Sequence, residues 1–318
     1  MKVGIVFDGN LDSNDGVQQY IKTLAEWLIE QGHEVKFLVS SSPNETRWKD
    51  HIVELSGNFR VRFNRNHLRI PLPASTAKVK RALEEDFDIL HVQVPYNPFL
   101  AGKVIKHSKC PVVGTFHIVN ETNLGKLGSK ILSWVQKGTS KKFSHIMAVS
   151  PAAQVYASKY FSLSSNIVPN MVNSSKFKSN AKGSGIVFLG RLEVRKGVWQ
   201  LLNAYSQISE VDRKNLKLTI GGSGPELSKL KRFSKQNNLD VEFKGYIPEE
   251  SKAEFLASSE VAVFPSIGGE SFGIVLLEAM ATDSPVVLAA DNPGYSYVME
   301  TMPSQIFNPQ DSQKLASE

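Results

Sequence analysis

The chain has 318 residues, 41% of them hydrophobic and 21% charged, and a formal net charge of +6. That balance belongs to an ordinary globular protein long enough for two domains, and it excludes disordered, collagenous and low-complexity classes. No run approaches the ~20 apolar residues that span a bilayer, the first residues read as a buried strand rather than a secretory signal, and the single cysteine, Cys110, excludes an internal disulfide or a multi-cysteine metal site.

Apolar β-rich runs alternate with helical patterns along the chain. Strands are predicted at 3–7, 35–39, 89–92, 112–115 and 146–149, with helices at 17–30 and 151–160 among them. Such alternation predicts a parallel sheet covered by helices. After Asn170 comes a polar segment, MVNSSKFKSNAKGSG, which has no periodicity and is expected to be a linker. The alternation then restarts, with strands at 186–189, 216–220, 241–244, 261–265 and 286–289 and helices at 198–207, 226–236, 250–258 and 272–281. The expected fold class is therefore α/β, with two tandem doubly wound, Rossmann-like domains over 1–173 and 174–318. Ligands would bind in a cleft between them, at the carboxyl ends of the strands.

Charge is uneven. Up to Asn170 there are 21 Lys and Arg against 14 Asp and Glu, a net +7, and the remainder comes to −1. The densest stretch holds Arg60, Arg62, Arg65, Arg69, Lys78, Lys80 and Arg81, with no acid between Glu54 and Glu84. It reads either as a solvated face or as a patch for an anionic surface, with a membrane leaflet ahead of nucleic acid because no nucleic-acid module accompanies it.

Three loops after strands carry candidate chemistry. Asp15-Gly16-Val17-Gln18 opens the first helix, where a glycine and free amides suit either a phosphate or a plain helix start. Gly190-Arg191-Leu192-Glu193-Val194-Arg195-Lys196-Gly197 ends the first strand of the second half. Arg191 and Lys196 there could converge on a pyrophosphate, one as a planar fork and the other as a point charge, or could lie on a surface loop. Beside these three, Gly221-Gly222-Ser223-Gly224-Pro225 is a turn first and a phosphate loop second. The third loop leads to Glu270, just before a greasy helix, with Glu278 inside that helix. A carboxylate on a buried helix is costly unless donors surround it, and sugar hydroxyls are such donors.

With these loops in order, the chain resembles the retaining GT-B glycosyltransferases that carry a Glu-x7-Glu motif, matched here by Glu270 through Glu278 and Met280. Arg191 with Lys196-Gly197, the Gly221 to Pro225 turn, Val149-Ser150 before a helix and Pro169-Asn170 before the linker fall where that family has them. Within it, Gly268-Gly269-Glu270-Ser271-Phe272-Gly273-Ile274-Val275, Gly114-Thr115-Phe116-His117, Phe87-Asp88-Ile89-Leu90-His91 and the basic Lys78-Val79-Lys80-Arg81 are similar to phosphatidylinositol mannosyltransferases.

The resemblance implies that Arg191 and Lys196 neutralise the donor pyrophosphate, with Gly16 beside it, and that the amides of Ser271, Phe272, Gly273, Ile274 and Val275 bind phosphate and sugar oxygens. It also implies that Glu270 accepts hydrogen bonds from the transferred sugar, Glu278 from the ribose, and Glu249 from the base. His117 would hold a sugar hydroxyl, and Gln18 and Arg69 would face the acceptor. The implied activity is metal-independent transfer of a hexose, mannose from GDP-mannose, to a lipid or glycan such as phosphatidylinositol, with no cofactor. The enzyme would be cytoplasmic and peripheral on the inner face of the plasma membrane, with no nucleic acid and no obligate protein partner. A soluble UDP-sugar enzyme is the alternative within the class. A nucleotide-binding protein without turnover is the other, because relatives continue past Glu318 with helices that close the second domain.

Two further patterns are set aside. Asp86-Phe87-Asp88 mimics a metal-binding Asp-x-Asp but leads into a strand, so no metal is expected. A Rossmann dehydrogenase would need Gly-x-Gly-x-x-Gly after the first strand, where this chain has Asp-Gly-Asn-Leu-Asp-Ser.

Overall fold

A computed structural model of the chain describes residues 1–317 apart from 13–14, 64–65, 96, 120–128, 135–137, 180, 182 and 284, and the side chains of 58–71 also lie outside that description. Two units result, Met1–Met171 and Val172–Glu318.

In the first unit the strands are β1 (Lys2–Phe7), β2 (Glu34–Ser40), β3 (Ile52–Ser56), β4 (Asn58–Phe63), β5 (Asn66–Pro71), β6 (Ile89–Gln93), β7 (Val112–Phe116), β8 (Phe143–Ala148) and β9 (Asn166–Ile167). Seven of these described strands form one parallel sheet in the order β3-β2-β1-β6-β7-β8-β9. Its helices include α1 (Gly16–Glu30), α2 (Thr76–Ala82), α3 (Ala101–His107) and α4 (Pro151–Phe161).

Both faces of the sheet are covered, which is why β1 is apolar from Val3 to Phe7. Val3, Ile5 and Phe7 pack with Tyr20, Ile21, Leu24 and Ala25 of α1, whereas Val6 packs with Val104 and Ile105 of α3. Alternate residues of a strand point to opposite faces, so a strand buried on both sides is apolar throughout. Chain punctuation sets the helix starts. Ser150 caps α4 by accepting the Ala153 amide at 3.1 Å, with Pro151 following it, an arrangement in which a short hydroxyl satisfies an orphan amide and the proline sits where no amide is needed.

The second unit has β10 (Ile186–Leu189), β11 (Leu218–Gly221), β12 (Val241–Gly245), β13 (Val261–Phe264), β14 (Val286–Ala290) and β15 (Ile306–Phe307) in a parallel sheet ordered β12-β11-β10-β13-β14-β15. Helices α5 (Val198–Gln207), α6 (Leu227–Gln236), α7 (Lys252–Ala257), α8 (Ile274–Ala281), α9 (Pro293–Val298) and α10 (Ser312–Ser317) complete the framework used below. In each sheet the strand order reverses once, between β1 and β6 and between β10 and β13. Such switch points are where open α/β sheets bind ligands.

Beyond elements that the pattern did not announce, among them β3, β9, β15 and α3, the structure differs from the sequence expectation in three places. The basic stretch folds as an antiparallel ribbon, β4 with β5, whose register sets Arg60 opposite Arg69, followed by α2. Helix α8 starts at Ile274 rather than 272, because Gly273 has a φ of 104° and cannot continue a right-handed turn. The polar segment after Asn170 is not free of structure. Ser174–Phe177 forms a 3-10 turn that packs on α7 and α8 and buries Phe177. Replacing Phe177 by Ala should therefore destabilise the second unit by about 3 kcal/mol, the usual cost of emptying a buried aromatic site. Hydrogen exchange in denaturant should locate the loss at α7 and α8 and leave the amides of β1 and β6 protected.

Candidate active site

The loops after β10 and β13 meet at the switch point of the second sheet. Residues Val194–Lys196 form a 3-10 turn that ends on Gly197, whose φ is 72° and where a Cβ would strike the backbone oxygen of Pro265. Only a glycine fits there, and with it the turn folds back so that Lys196 points at the neighbouring loop. The Ile267 amide donates to the Arg195 carbonyl at 2.9 Å and fastens the two loops together.

Glu270 is the centre of this contact. Its Oε1 lies 2.7 Å from Lys196 Nζ, 3.0 Å from Arg195 Nη1 and 2.7 Å from Ser266 Oγ. Burial opposes ionisation, but Lys196, Arg195 and the Ser266 hydroxyl together hold the carboxyl below the usual carboxylate range. Ser266 is fixed in turn by Asn292, which donates from Nδ2 to its carbonyl at 3.1 Å and also caps α9. Tyr295 of α9 hydrogen-bonds Ser266, and burial followed by the Glu270 charge pushes its phenol well above the ordinary value.

Arg191 does not join this cluster. Its Nη2 pairs with Glu193 Oε1 at 2.7 Å and the side chain is about half exposed, whereas Arg195, which sequence reasoning passed over, takes the place beside Glu270. Ser271, Phe272 and Gly273 lie in the loop before α8, and Ile274 and Val275 are its first two residues.

Glu278 belongs to a second cluster. Lys252 Nζ lies 3.0 Å from Glu278 Oε1 and 2.9 Å from Glu249 Oε2, so one cation serves two acids. Burial raises the Glu278 carboxyl, with Lys252 acting against it, and the two carboxylates hold the Lys252 ammonium protonated despite its own burial. Lys252 was hidden in an otherwise acidic run. Its only signal was its position three residues after Glu249.

In the first unit Gln93 and His117, at the ends of β6 and β7, form a neutral polar pair. His117 follows β7, is buried, and its Nε2 lies 2.7 Å from Oε1 of Gln93 at the end of β6. Burial, then the neighbouring His91, lowers its pKa to about 3. Gln18 is buried on α1 and donates to the Asn10 carbonyl at 3.3 Å. Gly16 begins α1, and Asp15 before it is exposed and makes no capping bond. In the basic stretch Lys78, Lys80 and Arg81 are exposed on α2, whereas Arg65 and the side chains of Arg60, Arg62 and Arg69 lie outside the described residues. Asp88, the second acid of Asp86-Phe87-Asp88, accepts the Lys2 amide at 2.6 Å, and Phe87 is core. No described helix is long and apolar enough to cross a membrane.

The chain matches two family models that divide it between them, Glycosyltransferase Family 4 over residues 14–176 and Glycosyl transferases group 1 over 172–317. It is 31% identical over 298 residues to the phosphatidyl-myo-inositol mannosyltransferase of Mycolicibacterium smegmatis, covering 90% of this chain and 75% of that one. It is 30% identical over 297 residues to the enzyme of the same name from Mycobacterium leprae, covering 90% and 78%. Among solved structures, Anabaena Alr3699/HepE in complex with UDP-glucose superposes with a TM-score of 0.76 at 18% identity, over 100% of this chain and 88% of that one. That likeness is one of fold.

One further carboxylate stands at the carboxyl end of β1. Asp8 is buried and accepts the Leu100 and Ala101 amides at 2.8 and 3.0 Å, bracing the start of α3. Burial outweighs those two bonds and raises its pKa from 3.8 to about 7. A carboxyl that binds its proton more tightly in the folded state makes stability fall as pH rises from about 4 to about 7. Asp8→Asn should flatten that slope in urea titrations run across the same range, leaving the wild type the more pH-dependent of the two.

Proposed function

The chain belongs to the family 4 and group 1 glycosyltransferases, and from that premise we propose that it transfers mannose from GDP-mannose to phosphatidylinositol or a closely related lipid, with retention of configuration and without a metal. The observation that carries this reading is its likeness to the two mycobacterial mannosyltransferases across nine-tenths of its length, spanning both units. The exposed Lys78, Lys80 and Arg81 on α2 fit an enzyme that meets its acceptor at an anionic surface, at the inner face of the plasma membrane.

Each cluster takes one part of the donor in this reading. Lys196 and Arg191, with Arg195 now beside them, balance the pyrophosphate and the charge that grows on it as the sugar leaves. The amides from Ser271 to Val275, and that of Gly16, supply further donors to phosphate and sugar oxygens. The three hydrogen bonds that Glu270 accepts from Lys196, Arg195 and Ser266 all fall on Oε1, so Oε2 is the oxygen offered to a sugar hydroxyl. Glu278 accepts from the ribose, and Glu249 with Lys252 meets the base. His117 contacts a hydroxyl of the transferred sugar, and Gln18 and Arg69 face the acceptor.

Retention by double displacement needs two carboxylates astride the bond, and His117 hydrogen-bonds Gln93 and stacks edge-on with Tyr20, neither of them a carboxylate. The proposal is therefore attack from the departing side. The acceptor oxygen bonds to the anomeric carbon as the bond from that carbon to the phosphate oxygen breaks, and the acceptor proton passes to the departing phosphate.

Calorimetric titration without divalent metal is the direct test. GDP should bind in the micromolar range and UDP at least ten times more weakly, and a preference for UDP would overturn the mannosyl donor while leaving the family assignment intact. Lys196→Ala should lower kcat/KM for transfer from GDP-mannose to phosphatidylinositol vesicles by roughly 100-fold, the scale seen when one preorganised donor to a developing anion is lost.

A further inference from the structure

The face of the first sheet under α1 carries a run of polar side chains in the middle of an apolar layer. Leu90 and Val92 of β6 enter the core shared with α3, and Ile89 joins the core under α1, so alternation puts His91 and Gln93 on the α1 side. Gln93 pairs with Thr115 in the strand register. Each polar residue of β6 then reaches diagonally to the next on β7 and the loop after it. His91 Nε2 lies 2.7 Å from Thr115 Oγ1, and Gln93 Oε1 lies 2.7 Å from His117 Nε2. Tyr20 closes the group from α1, with its ring edge-on to His117 at 5.1 Å and its hydroxyl bonded to Thr115.

An amide oxygen can only accept, so the hydrogen of this contact belongs to His117 Nε2 and the lone pair of the ring belongs to Nδ1. We propose that Gln93 is a positioning residue that holds His117 in the Nε2–H tautomer, and so presents Nδ1 as the acceptor for a hydroxyl of the transferred sugar. This rests on the reading of His117 as a sugar contact given above.

Two observations set Gln93 apart from ordinary strand packing. Its side chain is completely buried, and Nε2 has no partner among the described residues, which is rare for a buried amide. The next residue, Val94, has a φ of 58°, in the left-handed region that a β-branched side chain scarcely tolerates. That backbone is held by Val94 donating to the Thr115 carbonyl and accepting from Asn97. Strain of this kind persists where surrounding contacts over-determine it, and it gathers at functional sites. The need for a fixed tautomer follows from the environment. Burial keeps both His117 and His91 neutral, and a neutral imidazole offers one donor and one acceptor that something must assign.

The test uses the full chain labelled with 15N at histidine, in wild type, Gln93→Met and Gln93→Glu. Long-range proton–nitrogen correlation spectra should show the wild-type His117 ring protonated at Nε2 alone. Gln93→Met keeps the length and loses the acceptor, so both tautomers should appear and kcat should fall roughly tenfold while GDP affinity holds within about twofold, a loss confined to the reaction step. Gln93→Glu keeps the acceptor and should keep the tautomer. Its carboxylate stabilises the imidazolium, so His117 should gain its second proton at a higher pH than in wild type, and the pH–rate profile should acquire an acid limb. His91 and Tyr20 are the other titratable groups facing this ring, and both remain in each variant. A wild-type ring protonated at Nδ1, or a Gln93→Met ring still protonated at Nε2 alone, would overturn the proposal. Mixed tautomers with unchanged kcat would uphold the positioning and remove His117 from the reaction, which separates this inference from the functional reading beneath it.

Discussion

An ionised carboxylate at the base of a buried loop has to be stabilised within a few ångströms, and Glu270 is stabilised by groups drawn from both sides of the sheet's switch point. Removing a carboxylate from water costs several kcal/mol, and that cost is met only by well-placed opposite charge and hydrogen-bond donors. Lys196 and Arg195 come from the turn after β10, and Ser266 comes from the loop after β13. The turn can bring its cations there because Gly197 takes a left-handed backbone against Pro265. The local geometry of the second unit thus follows from this pairing: the glycine shapes the turn, the turn aims the lysine, and the lysine keeps Glu270 charged.

The two units manage their strand ends by different chemistry. In the second, buried acids face cations, Glu270 against Lys196 and Arg195 and Glu278 against Lys252. In the first, His91, Gln93, Thr115, His117 and Tyr20 form a neutral group in which no member carries charge near neutral pH. A neutral site cannot stabilise a departing diphosphate, but it can orient hydroxyls without attracting counter-ions. In the transfer proposed above, the charge that grows on the departing nucleotide meets the cations of the second unit.

Most of the sheet framework was legible because parallel strands covered on both faces leave continuous apolar runs, as from Val3 to Phe7 in β1 and at Val261–Phe264. The strands that were missed lack that signal. β4 and β5 belong to a ribbon outside the main sheet, with arginines at alternate positions of β4, β3 is an edge strand interrupted by Glu54, and β9 and β15 are only two residues long. At the site, Glu270, Glu278, Lys196 and His117 stood in recognisable patterns, whereas their partners did not. Arg195 could not be told from Arg191, since both flank the same turn and only the fold decides which one faces Glu270. Gln93 and Lys252 carry no pattern of their own, because what each does depends on a side chain 24 or 26 residues away. Phe177 was concealed by its polar neighbours, although one aromatic is enough to pin such a segment.

The Glu249, Lys252 and Glu278 cluster shows why acids are retained in a greasy helix at all. A fold seeking stability alone would replace such a group by apolar residues of similar size, which is often neutral or favourable. Here two carboxylates share a single ammonium, and Glu278 is held above its ordinary range because burial outweighs the donors around it. In the transfer proposed above, the ribose hydroxyls donate to Glu278 and favour its ionised form, so binding of the donor and ionisation of that acid support each other.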